Sequence, residues 1–203
     1  MPTPADDIIA LYEHHAGEWD ADRHQSRPEG ETVWIRRFTE AALPEASILD
    51  LGCGSGWPIV PELLAAGLSV TGVDSSPSLI SLCRQRFPEQ TWVVGDMRRL
   101  DIDHRFAGII AWHSLFHLVP EDQAQMFTVF AHHLRPSAPL MFTSGSERDE
   151  TIGCWRNEPL YHASLSLDDY ETLLATNGFV ILDRVVGDIT CGGATIWLAK
   201  AAD

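Results

Sequence analysis

Ser47-Ile48-Leu49-Asp50-Leu51-Gly52-Cys53-Gly54-Ser55-Gly56-Trp57-Pro58 is the stretch that decides the fold. Ile48, Leu49 and Leu51 make a short apolar run suited to a strand covered on both faces. Gly52, Gly54 and Gly56 then remove the Cβ atoms that would keep a backbone turn from closing on a bound molecule. Pro58 suits the first turn of a helix, where its missing N–H is no loss. A buried strand that runs into a glycine turn and opens a helix is built to hold a ligand.

Working outward, Val60, Leu63 and Leu64 keep helical spacing up to Gly67, and Leu68 to Asp74 reads as a second strand. A helix from Pro77 to Phe87 follows, with Ser75 or Ser76 available as its N-cap, and Gln90 to Gly95 supplies a third strand. Phe106 to Trp112 reads as a fourth strand, Pro120 to Leu134 as a helix, and Pro139 to Ser144 as a fifth strand. Such alternation predicts a doubly wound, Rossmann-like α/β fold, a mostly parallel sheet with helices on both faces. Beyond it, a helix begins at Ser166 and ends near Asn177-Gly178. Phe179 to Asp188 and Thr190 to Lys200 are two strands with no helix between them, so they pair as a hairpin and finish a seven-stranded sheet with a C-terminal antiparallel strand. The first 44 residues read as helical, with residues 20 to 30 as a loop.

At 203 residues the chain suits one domain, residues 1–203, divided into an amino-terminal helical lid (1–44) and a core (45–203). Its composition, 45% hydrophobic and 21% charged, is that of a globular protein, and no apolar run approaches the roughly 20 residues of a membrane span. Met1 to Asp7 shows no secretory pattern, and Cys53, Cys83, Cys154 and Cys191 show no C-x-x-C spacing, so the expectation is a cytoplasmic protein with buried free thiols. Fourteen Lys and Arg stand against 29 Asp and Glu, a net charge of −15 that disfavours nucleic acid as a partner. A monomer or homodimer is expected.

Two ligand classes use this topology. The dinucleotide fingerprint G-x-G-x-x-G needs a third glycine beneath a pyrophosphate, and here Trp57 takes that place. Asp74, 22 positions after Gly52, ends the second strand, where a carboxylate can accept from both hydroxyls of a ribose. The pattern Asp50-Leu-Gly-Cys-Gly-Ser-Gly resembles the first motif of the class I S-adenosylmethionine-dependent methyltransferases. That resemblance implies S-adenosyl-L-methionine as cofactor, held by Asp50, Gly52, Cys53, Gly54, Trp57, Asp74 and Ser75. It further implies Asp96 toward an adenine amine, Met97 against the ring, and Trp112-His113 beside the methyl donor. Leu11 to Arg23, Phe116-His117-Leu118, Leu160 to Ser164 and Cys191-Gly192-Gly193 resemble a bacterial branch acting on small or unassigned molecules.

Methyl transfer is an in-line displacement, so the protein chiefly aligns donor and acceptor and excludes water. A base helps where the acceptor must lose a proton. His113 is the first candidate, with His117, Tyr161 and His162 behind it, although His117 also suits a packed turn. His14-His15 and His132-His133 read as solvated helix positions. Tyr12 and Arg23 are candidates to contact cofactor or substrate from the lid, while Trp34 and Phe38 suit either lid or core. No carboxylates suited to a magnesium site follow the fourth strand, and no Asn/Asp-Pro-Pro-Tyr motif does, so a metal-independent enzyme acting on a small-molecule acceptor is expected. The alternatives are a nicotinamide-dependent oxidoreductase and a non-catalytic module that binds the cofactor or its product.

Overall fold

A computed structural model describes residues 4–26, 28–42 and 46–203. Met1 to Thr3, and the expected division between residues 44 and 45, lie outside the described residues. Three helices open the chain, α1 (Pro4–His14), α2 (Ala16–Gln25) and α3 (Glu29–Ala41). The alternating part follows as β1 (Ser47–Leu51), α4 (Ile59–Ala65), β2 (Ser69–Asp74), α5 (Pro77–Arg86), β3 (Thr91–Val94), β4 (Ile109–Ala111), α6 (Pro120–His133) and β5 (Pro139–Ser144). A hairpin of β6 (Asp149–Trp155) and β7 (Glu158–Ser164) precedes α7 (Leu167–Thr176), β8 (Phe179–Asp188) and β9 (Ala194–Ala201).

The main sheet has seven strands in the order β3-β2-β1-β4-β5-β9-β8. Neighbours from β3 through β5 are parallel, and β9 runs antiparallel to both β5 and β8. The architecture is the one the alternation of strands and helices implies, with the reversed strand placed inside the edge. Side chains of β1 alternate across the sheet: Leu49 and Leu51 enter the layer that Phe127 and Phe130 of α6 and Tyr170 of α7 cover. Ile48 enters the opposite layer, with Phe38 of α3, Leu63 of α4 and Ile80 of α5. Trp34 and Phe38 are therefore core.

Two expectations need correction. Residues 20 to 25 are helical rather than loop, because tertiary contacts hold this polar segment: the Arg86 guanidinium on α5 grips Asp20 with two bonds of 2.6 Å. The fourth strand is shortened to Ile109–Ala111, leaving Phe106 in an isolated bridge to Leu134. The β6–β7 hairpin forms its own two-stranded sheet. Its turn, Arg156-Asn157, has φ of 51° and 65°, the mirror-image geometry that suits a right-twisted hairpin.

Candidate active site

β1, β2, β3 and β4 deliver their carboxyl ends to one edge of the sheet, and a cavity of about 380 Å³ opens there. That volume lies in the range of small-molecule sites. Gly52 and Gly54 form its floor with φ of 69° and 55°, a region L side chains rarely enter. A Cβ on Gly52 would overlap the Ser114 side chain and stand 3.1 Å from Met97, and one on Gly54 would overlap the Trp19 ring. Asp74 faces the cavity at the end of β2, its Oδ2 accepting from Gly54 N at 2.8 Å and its Oδ1 from Ser76 N at 2.9 Å. Burial raises its carboxyl above the ordinary value, against the lowering effect of those bonds.

Of the residues singled out in the sequence, Tyr12, Arg23, Gly52, Gly54, Asp74, Ser75, Asp96, Met97, His113, His117 and His162 line this cavity. Asp96 does so with its carboxylate committed, because Arg98 donates to both its oxygens and also reaches Asp6 and Asp122. Arg98 thus ties α1 to α6 beneath the β3 end.

The others do not line it, for reasons of local geometry. Asp50 is 2% exposed on the Ile48 side of β1, where burial and the nearby Asp74 push its carboxyl up to about 7, and its Oδ2 has no partner. Cys53 turns its thiol into the layer beneath the turn, where burial raises it well above the ordinary thiol value. The Gly56 turn carries Trp57 outward to stack on His24 at 4.7 Å. Trp112 is buried and donates its indole N–H to Glu31 at 3.0 Å. Tyr161 and His162, adjacent on β7, point to opposite faces. The Tyr161 hydroxyl donates to Glu150 at 2.7 Å while His162 faces the cavity.

The histidines differ sharply. Nδ1–H of His117 donates to the Tyr161 carbonyl at 3.0 Å, so Nε2 is the acceptor for the Tyr12 hydroxyl at 2.9 Å. Burial lowers this ring to about 3, and both of its nitrogens are occupied. His133 is buried as well, bonded to the Val129 carbonyl at 2.8 Å, which corrects its reading as solvated. His15 is partly buried against Trp155. Of the four cysteines, Cys154 alone is exposed, and all four are free.

His113 sits just past β4 with φ of 51°, its N–H held by Thr143 Oγ1 at 2.8 Å and its Nε2 3.5 Å from Glu31 Oε1. Glu31, on α3, escaped sequence reasoning because a lone Glu on a helix looks solvated. It is fully buried, bonded to Arg23 at 2.5 Å and to Trp112, and its Oε2 has no partner. Burial works to raise its pKa, yet the bonds from His113, Arg23 and Trp112 outweigh burial and hold the carboxylate below its ordinary value. His113, Phe116, His162 and Pro28 line both this cavity and a second one of about 400 Å³, walled by Ser144, Glu147, Asp149, Ser164 and the Cys191-Gly192-Gly193 turn.

Residues 48–137 match the family model described as a methyltransferase domain. Those residues form a methyltransferase domain. An O-methyltransferase of Aspergillus nomiae is 26% identical over 184 residues, spanning 83% of this chain and 81% of that protein. Among solved structures, the magnesium protoporphyrin IX methyltransferase of Synechocystis superimposes with a TM-score of 0.73 at 17% identity, over 100% of this chain and 99% of that one. An amino pentose methyltransferase of Micromonospora echinaspora gives 0.70 at 17%, over 91% and 96%. That match sets aside the nicotinamide oxidoreductase reading. No helix among the described residues of the methyltransferase is long and apolar enough to cross a membrane.

Proposed function

We propose that this methyltransferase holds S-adenosylmethionine in the cavity at the strand ends and a small-molecule acceptor in the adjoining cavity, with His113 at their junction. One observation carries the reading: two cavities of small-molecule size share His113, Phe116 and His162, and only the first is floored by the glycine turn. The cofactor fits the residues present. A cradle that a Cβ would fill lies at Gly52, and Asp74, with two N–H donors on its carboxylate, keeps lone pairs for ribose hydroxyls. Ser75 extends that edge, while Met97 and Leu79 give an apolar wall for a base. Arg23, neutralised in part by Glu31, stands where a cofactor carboxylate would enter. When bound, the cofactor supplies a methyl group on an electrophilic sulfonium.

Tyr12, Trp19 and Arg23 bring α1 and α2 over the site as a lid that excludes water. His113 orients the acceptor or takes its proton, and Glu31 holds that imidazole from behind while also anchoring Arg23. His162, its pKa lowered by burial, orients the acceptor with Phe116. Transfer needs no metal in this scheme. The free thiols support a reducing, cytoplasmic setting, and the charge of −15 supports a small molecule rather than a nucleic acid as acceptor.

Calorimetric titration with S-adenosylhomocysteine, followed by a panel of small amines, alcohols and phenols with product formation as readout, tests the proposal. Saturable binding and turnover with at least one acceptor is the expected result. Absence of binding would sink the cofactor site, and binding without turnover would favour the non-catalytic module.

A further inference from the structure

We propose that His14, His15 and Glu158 form a binding site for a divalent transition-metal ion of the zinc type, which fastens the amino-terminal helices to the β6–β7 hairpin. His14 ends α1, His15 occupies the corner before α2, and Glu158 opens β7. Sequence separation hides the cluster, since the carboxylate comes from more than a hundred residues away. His15 Nε2 already stands 2.5 Å from Glu158 Oε1, and the His14 and His15 rings meet edge to face at 4.6 Å. One donor atom from each residue lies within 4.8 Å of the other two. An ion with bonds of about 2.0–2.2 Å holds tetrahedral donors roughly 3.3–3.6 Å apart, so the hydrogen-bonded His15–Glu158 pair opens by about 1 Å to admit it and His14 makes a modest closure. His14 is exposed at the end of its helix and can turn to provide it.

The donor chemistry selects the ion. Two imidazoles and one carboxylate suit zinc and its late transition-metal neighbours, while calcium and magnesium prefer all-oxygen sites. None of the three residues lines either cavity, so the ion acts as a cross-link and not as a reagent. What it would join is informative. Tyr12, two residues before His14, bonds His117 and walls the first cavity, and Glu13 bonds Ser76 at the N-cap of α5 and Ser78 in its first turn. Four residues beyond Glu158, His162 walls both cavities. Trp155 of the hairpin packs against Tyr12 and His15. A metal ion here would pin the lid and the acceptor-side hairpin to one another across the mouth of the site.

The test uses untagged, chelator-stripped protein titrated with zinc chloride against a chromogenic chelator. Wild type is expected to bind one zinc ion at micromolar affinity, with a rise of several degrees in Tm. His14→Ala and Glu158→Gln each weaken that affinity tenfold or more and lose the Tm rise, while His104→Ala, at an exposed position elsewhere, keeps both. Zinc is also expected to slow S-adenosylhomocysteine release from wild type severalfold and to leave release from His14→Ala unchanged. No zinc bound by wild type, equal affinity in all variants, or a release rate indifferent to zinc would each overturn the inference. Zinc binding does not depend on methyl transfer, so its failure and failure of the functional reading are separable.

Discussion

The cavity proposed for the donor and the one proposed for the acceptor are built by different means. On the donor side, Gly52, Gly54, Asp74 and Met97 arrive at the ends of consecutive parallel strands, each placed by hydrogen bonds one strand away. On the acceptor side, Glu31 from α3, His113 from the β4 end and His162 from an isolated hairpin converge from elements with no common sheet. The difference shows that a backbone-built site tolerates little change in main-chain geometry, whereas a side-chain-built site can be retuned one residue at a time.

The comparison predicts a descending series. Gly52→Val forces a β-branched residue into φ of 69° and a Cβ into Ser114, so cofactor affinity should fall more than a hundredfold in calorimetry. Near-native binding in that variant would break the claim that the floor is backbone-built. Asp74→Asn keeps the shape but loses the charge, and a weakening of ten- to a hundredfold, about 1.5–3 kcal/mol, is expected for bonds to a charged group.

Glu31→Gln is the acceptor-side counterpart. Turnover should drop about tenfold and the pH–rate profile should shift, while the cofactor dissociation constant changes less than threefold. A uniform loss of both, not restored by Glu31→Asp, would make Glu31 structural only.

The smallest effect concerns stability and pH. Asp50 is raised to about 7 when folded, so its contribution is fully present below about pH 3.8 and lost as pH rises through 7. His117 is lowered to about 3, so its contribution is present above about pH 6.5 and lost as pH falls toward 3. Between those limits the two slopes oppose each other, each on the order of 1.4 kcal/mol per pH unit. Asp50→Asn should therefore be more stable than wild type at pH 7 and lose that advantage on acidification, as denaturant midpoints would record. Parallel stability curves for the two proteins would contradict it.

How much was legible follows the same divide. The glycine turn and the strand-helix alternation were readable because glycine, proline and apolar runs act within a few residues of themselves. Trp57 and Asp50, adjacent to that turn, do not line the cavity, because the direction of a side chain depends on strand alternation and on the Gly56 φ. Tyr161 faces away from the cavity for the same reason, one residue out of register with His162. Glu31 carried no local signal, since its burial arises only when α3 packs over the β4 end. In the hairpin turn, Asn157 was a weak cue, and Arg156 in left-handed geometry is not something composition announces.

By itself the sequence determined the layered α/β sheet, the glycine turn and the carboxylate at the end of β2, because backbone conformation and hydrogen-bond register are encoded locally. The tertiary structure alone decided which imidazole is locked by Tyr12 and Tyr161, which one meets a buried carboxylate, and that a second cavity opens beside the first. Those outcomes depend on burial and on contacts between residues tens to a hundred positions apart, and burial is a property of the assembled fold.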